Sequence, residues 1–273
     1  MKYLARTMDA QPLLGDESGF VPLGAVHPDT ETVRDALSYA AAGTLGDPAD
    51  ALAEPVDRAD LTFGPPLAEF GKIWGIGLNY AEHAGDLGEQ RPDEPASFMK
   101  PNTALTGPGG PIRLPPQDRT DRVTAEAELG VLVGRECHGI DENEVSEVVA
   151  GYLPIIDMTA EDILQRNPRF LTRAKSFDTF LVPGPLIMVP GDGFDLADLT
   201  VRTEVNGAIA AENKVANMLF PPAELISFHS GVMTLRPGDL FSTGTPGAAP
   251  IEPGDKVRSY VESVGAVEAS VTR

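Results

Sequence analysis

Eight residues, Glu-Ala-Glu-Leu-Gly-Val-Leu-Val from Glu126 to Val133, constrain this chain more than any other stretch. The run is apolar as a whole and is followed by the turn-like Gly134-Arg135-Glu136, so it predicts a buried strand. Side chains at i and i+2 of a strand project from one face, which points Glu126 and Glu128 the same way. Two carboxylates side by side in an apolar strand repel each other and lose hydration. One of them is pushed to protonate unless a positive group lies between them, and the usual solutions are a paired arginine or a divalent cation. All-oxygen donors point to a hard cation, Mg2+, Mn2+ or Ca2+, over zinc. A Glu-x-Glu on the wet face of an edge strand is the ordinary alternative and needs no metal.

A second apolar run, Tyr152 to Ile156, predicts a strand that delivers Asp157 at its end. Thr159 with Asp162 three residues on has the form of a helix start, predicting a helix over Thr159 to Arg166. Asp157 then stands at a strand-to-helix junction, where it is either a turn former or a third ligand. Three carboxylates on one divalent cation leave a net charge of about −1 and, in octahedral coordination, roughly three positions for water or substrate.

Further strands are predicted at Ile73–Leu78, Phe180–Val182, Leu186–Val189, Thr200–Val205 and Lys256–Val261. Helices are predicted at Asp29–Ala42, capped by Asp29 or Thr30, after Asp141, and at Leu225–Val232. Many strands, few short helices and no regular βα alternation define a β-rich α+β fold. The first seventy residues differ in texture, and Pro65-Pro66 marks a boundary.

The 273 residues carry a net charge of −20 with only six lysines, which excludes nonspecific nucleic-acid binding. That field also repels anionic ligands, so a carboxylate substrate needs a local metal ion or a converging lysine. Lys175 is such a lysine. Thr243-Gly244-Thr245-Pro246 is a loop able to present hydroxyls and amides to a carboxylate. No apolar run reaches the roughly 18 residues that span a bilayer, and the opening residues lack a signal-peptide core, so no membrane partner and a cytoplasmic location are expected. The single cysteine, Cys137, can form neither an intrachain disulfide nor a thiolate zinc cage. His83 has Asp86 three residues on, a spacing that on a short helix sets a carboxylate beside an imidazole and makes the pair a candidate general base.

Eight blocks then fall in a family's order: Gly77-Leu78-Asn79-Tyr80-x-x-His83, Phe98-Met99-Lys100-Pro101, Glu126-x-Glu128-Leu129, Asp157-Met158-Thr159-Ala160, Lys175-Ser176-Phe177-Asp178-Thr179-Phe180, Val205-Asn206-Gly207, Pro237-Gly238-Asp239 and Thr243-Gly244-Thr245-Pro246. From Lys72 to Arg273 the chain resembles the fumarylacetoacetate hydrolase family. The resemblance implies a mixed β-roll or β-sandwich catalytic domain over residues 70–273, behind a small N-terminal domain over residues 1–69, in a homodimer. It implies Mg2+ or Mn2+ on Glu126, Glu128 and Asp157, with His83 and Asp86 activating water and Lys175 positioning the substrate. Tyr80, Lys100, Gln165, Thr243, Gly244 and Thr245 are the implied substrate contacts.

The implied activity is hydrolysis of a carbon–carbon bond in a small 2-oxo or 1,3-dioxo acid, of the acylpyruvase type. Decarboxylation or keto-enol isomerisation on the same chelate is the alternative, and a catalytically silent ligand-binding member is the third. One departure bears on this choice. Members often carry Thr-Ala-Arg-Asp-x-Gln after the metal aspartate, where this chain has Thr159-Ala160-Glu161-Asp162-Ile163-Leu164-Gln165. An acid replaces the arginine, and the glutamine is either shifted to Gln165 or lost to Leu164.

Overall fold

The β-rich α+β expectation is met by two stacked sheets, seen in a computed structural model that describes residues 1–81 and 92–273. Strands β1 (Lys2–Arg6), β2 (Pro12–Asp16) and β3 (Gly19–Pro22) precede helix α1 (Val33–Ala41). Then follow β4 (Ile73–Gly77), β5 (Ala96–Lys100), β6 (Gly109–Arg113), β7 (Val123–Val133) and β8 (Val149–Ala160). Helices α2 (Glu161–Arg166) and α3 (Leu171–Lys175) lead to β9 (Leu181–Pro183), β10 (Leu186–Val189), β11 (Thr200–Val205) and β12 (Ala208–Lys214). The chain closes with α4 (Pro222–Val232), β13 (Leu240–Ser242), β14 (Ala248–Pro250), β15 (Lys256–Val261) and β16 (Gly265–Thr272). No helix among the described residues is long and apolar enough to cross a membrane.

The larger sheet runs β3-β2-β1-β10-β8-β7-β13-β4-β5, with β14 also on β7 and β9 on β8. The smaller runs β12-β11-β15-β16-β6. At the centre of the larger sheet β7 and β8 form a long antiparallel ribbon, every residue of β7 buried. Strand alternation gives the ribbon two unlike faces. Ala125, Ile156 and Met158 pack with Val257, Val267 and Ala269 of the smaller sheet, and Ala127 and Leu129 with Val201 and Val261. On the other face Leu132, Leu153 and Ile155 join Leu4, Leu14, Val33 and Leu37 in one core cluster. Residues 1–69, expected as a small N-terminal domain, add three strands to this sheet through β1 pairing with β10, and α1 covers part of its face.

Three local expectations are corrected. Helix α1 begins at Val33 after Thr32, whose amide donates to Asp35 Oδ2 at 2.8 Å, because the hydroxyl of Thr30 is bonded to the His27 carbonyl. The segment after Asp141 forms a 3-10 stretch, Glu142–Glu147. Strand β8 continues to Ala160, so Asp157 lies inside the strand, and α2 starts without a side-chain cap because the Thr159 hydroxyl is bonded to Glu126.

Candidate metal and substrate site

Glu126 and Asp157 are direct partners across the β7–β8 ladder, so both side chains leave the ribbon on one face, and Glu128 joins them from two residues along β7. All three are buried, and an oxygen from each lies within 4.8 Å of the other two. Lys175, at the end of α3, donates to Glu126 Oε2 at 2.6 Å and to Asp157 Oδ2 at 2.9 Å. Lys100, at the end of β5, donates to Asp157 Oδ1 and has no solvent exposure. The amide of Met158 supplies Oδ1 with a further bond at 2.8 Å, and the Thr159 hydroxyl donates to Glu126 Oε1 at 2.5 Å.

Glu128 is held differently. Its Oε2 accepts from Ser242 Oγ at 2.6 Å and from the Gly244 amide at 2.7 Å. These donors come from an interruption in the sheet: β13 pairs with β7 at residues 130–132 and β14 at 124–126, and residues 243–247 bridge the interval. Gly244 has φ +96°, and a Cβ there would stand 2.8 Å from Asn79 Cβ and 3.0 Å from the Ile76 carbonyl oxygen, so the turn requires glycine. The Asn79 side chain fastens the loop by donating to the Thr243 carbonyl at 2.7 Å and to the Phe220 carbonyl at 3.0 Å.

The charges respond to these unequal surroundings. Burial alone raises Asp157, but the charges and hydrogen bonds of Lys100 and Lys175 outweigh it and hold the carboxyl below its ordinary range. Burial pushes Glu128 up to about 8, with Asp157 and Glu126 adding to the rise against the opposing charge of Lys175. Burial lowers Lys175, yet the three carboxylates raise it overall, whereas burial prevails at Lys100 and leaves it lowered.

Three carboxylates face two ammonium groups, and Glu128 has no cationic partner of its own among the described residues. With Glu128 ionised the group carries a residual negative charge on oxygen donors only, which fits a hard divalent cation. Opposite ligands on a Mg2+-sized ion stand roughly 4.2 Å apart, so carboxylates no more than 4.8 Å apart reach a shared ion by small side-chain rotations. Side-chain exposure is 8% at Glu126 and 7% at Lys175 against 0% at Asp157, which makes the Glu126–Lys175 end the open one.

Of the other expected residues, Gly244 reaches the acids through its amide, and Lys100 lies behind Asp157 as its counterion. Thr243 turns its hydroxyl to the Leu129 carbonyl at 2.8 Å, and Thr245 bonds the Gly247 carbonyl at 2.9 Å. Tyr80 packs with Ala127, Leu129, Val201 and Met218 on the opposite face of the ribbon, its hydroxyl without a partner among the described residues. Gln165 is exposed and bonds Glu161 at 2.9 Å. His83 and Asp86 lie outside the described residues. The sequence offers Thr159 as a helix start and does not single out Ser242, so neither is expected as a partner of the acids. Their signal was present, since two residues after Asp157 on one strand, or next to the Thr243 loop, a hydroxyl is well placed to serve a buried carboxylate.

The chain belongs to the fumarylacetoacetate hydrolase family, whose model "Fumarylacetoacetate (FAA) hydrolase C-terminal" matches residues 72–272. A 2,4-didehydro-3-deoxy-L-rhamnonate hydrolase from Sphingomonas sp. (strain SKA58) is 33% identical over 97% of this chain and 90% of its own. Among solved structures, a 5-carboxymethyl-2-hydroxymuconate delta-isomerase from Mycobacterium smegmatis is 32% identical with a TM-score of 0.79, covering 99% of both chains. A maleylpyruvate hydrolase from Sphingobium sp. SYK-6, in complex with manganese (II) ion and pyruvate, is 27% identical with a TM-score of 0.81, over 100% of this chain and 99% of its own. These homologues are enzymes, hydrolases and an isomerase.

Proposed function

We propose that the chain is a Mg2+- or Mn2+-dependent hydrolase that breaks a carbon–carbon bond in a small 2-oxo or 1,3-dioxo acid. The observation that carries this reading is the buried Glu126, Glu128 and Asp157 group with one oxygen from each within 4.8 Å of the others. A 2-oxo acid offers two oxygens to a divalent cation, which when bound supplies Lewis-acid polarisation of the carbonyl and stabilises enolate charge beside it.

The chain's own residues do the rest. Lys175 stays protonated, because three acids surround it, and it orients Glu126 and Asp157 with two of its three donors. The third is available to a substrate oxygen, which is the positioning role assigned to it. Lys100 neutralises Asp157 from the closed side. Ser242 and Gly244 fix the orientation of Glu128. His83 with Asp86 is the proposed base that takes a proton from the attacking water. The manganese and pyruvate bound by the maleylpyruvate hydrolase support both the choice of metal and a 2-oxo acid ligand.

Keto-enol isomerisation is the second reading, and Gln165 favours it. The family resemblance implies an amide near this place that stabilises the oxyanion in hydrolases, and here Gln165, if it is that amide shifted by one, bonds Glu161 in the open. Acylpyruvates and enol substrates assayed side by side in wild type and His83→Ala separate the two. Hydrolysis lost with ketonisation retained supports the water-activating role, and hydrolysis that survives removes it. Oxalate should raise the melting temperature only when Mn2+ is present. No such shift would leave a silent scaffold. The reading includes a homodimer, which sedimentation equilibrium tests directly.

A further inference from the structure

The dry side of the β7–β8 ribbon holds one polar contact that the apolar packing does not explain. On the edge of β7 away from β8, β14 covers residues 124–126 and β13 covers 130–132. The amide of Ala127 falls in the interval between those strands and between the two glutamates, on a residue 1% exposed. A buried amide needs an acceptor. Here it is Thr203 Oγ1 at 2.9 Å, from β11 in the other sheet. Thr203 is itself 0% exposed. Directly across from it on β15 is Ser259, also 0% exposed, whose hydroxyl has no partner among the described residues.

We propose that Thr203 is a positioning residue that sets where the Glu126-Ala127-Glu128 ribbon sits and so how its two carboxylates are presented. The surrounding contacts of Val201, Val261 and Leu129 are non-directional and resist separation of the sheets more than sliding of one over the other. A hydrogen bond with a preferred length and angle resists sliding. It is attached at the backbone atom midway between two proposed ligands. The proposal rests on the metal reading for its consequence but not for the contact itself.

The test uses the full chain with three variants: Thr203→Val, Thr203→Ser and Val201→Ala. Mn2+ affinity is measured by electron paramagnetic resonance titration, and hydrogen exchange is followed along residues 123–133. Thr203→Val should weaken Mn2+ binding by about tenfold or more and speed exchange at Ala127, as loss of a residue supporting a metal ligand does. Thr203→Ser keeps the acceptor and should restore both to within about twofold of wild type. Val201→Ala loosens the same interface without touching Ala127 and should lower the melting temperature while leaving Mn2+ affinity within about twofold. Unchanged affinity in Thr203→Val, no rescue by serine, or an equal loss in Val201→Ala overturns the proposal. If wild type binds no Mn2+, the metal reading is what fails, and the exchange rate at Ala127 in Thr203→Val alone decides whether the clamp exists.

Discussion

The two faces of the β7–β8 ribbon share one backbone and one register, yet they do opposite things. The face toward the smaller sheet, with Ala125, Ala127, Leu129, Ile156 and Met158, gains stability from every group it removes from water. The other face carries Glu126, Glu128 and Asp157 beside the packed Leu132, Leu153 and Ile155, and the burial of its acids is offset by Lys100, Lys175 and five hydrogen-bond donors from hydroxyls and amides. Side-chain alternation lets a fold place a stabilising surface and a reactive one a single residue apart. The strong packing of one side tolerates the electrostatic burden of the other.

The harshest way to break this comparison is Asp157→Ala, which strands Lys100 in the interior and leaves Lys175 with Glu126 alone. We expect a loss of about 3–5 kcal/mol in denaturant unfolding together with loss of Mn2+ binding. On the dry face Ile156→Ala should cost about 2–5 kcal/mol through its cavity and yet leave Mn2+ affinity nearly unchanged. Equal loss of binding from both faces would end the distinction.

Within the acid face, Glu128→Gln removes the one carboxylate without a lysine partner. It should raise metal-free stability by roughly 1–2 kcal/mol at pH 8 while abolishing the Mn2+ shift in melting temperature. The same residue predicts a pH dependence with a definite sign. Glu128 titrates near 8 when folded, so its contribution to stability is fully present below the ordinary glutamate value of about 4.5 and is lost as pH rises to 8. Asp157, held low, contributes in the opposite sense: its part is present above its ordinary value and is lost on acidification. Calorimetry with and without Mn2+ should therefore show a larger metal-induced shift at pH 8 than at pH 6. Smallest is Ser242→Ala, where loss of one bond to Glu128 should cost about 1 kcal/mol and weaken Mn2+ binding several-fold.

Much of this site is legible in the sequence, though unevenly. The i, i+2 spacing of Glu126 and Glu128 needs only strand geometry, and the glycine of the Thr-Gly-Thr-Pro loop proved necessary for the turn that serves Glu128. Asp157 was expected at a strand end, but β8 runs three residues past it. A hydroxyl predicted to cap a helix went to a buried carboxylate instead, because an unsatisfied charge in the interior outweighs one exposed helix amide. Tyr80, in a strong motif, points to the opposite face from the acids, since a short motif carries no information about which side of a remote strand it will pack on. The division of roles between Lys100 and Lys175, one sealed as a counterion and one at the open end, depends on two strands and a helix meeting.

What the chain determined by itself is local: the alternation that puts two glutamates on one side of an apolar strand, the glycine at 244, and the ordered blocks that mark the family. Only the tertiary structure decided that Asp157 stands opposite Glu126, that Lys100 and Lys175 approach the same carboxylate, and that Thr203 reaches the amide between the two glutamates. The physical reason is that alternation and turn conformation are set by neighbouring residues, whereas strand register and sheet stacking are settled by contacts between segments tens of residues apart.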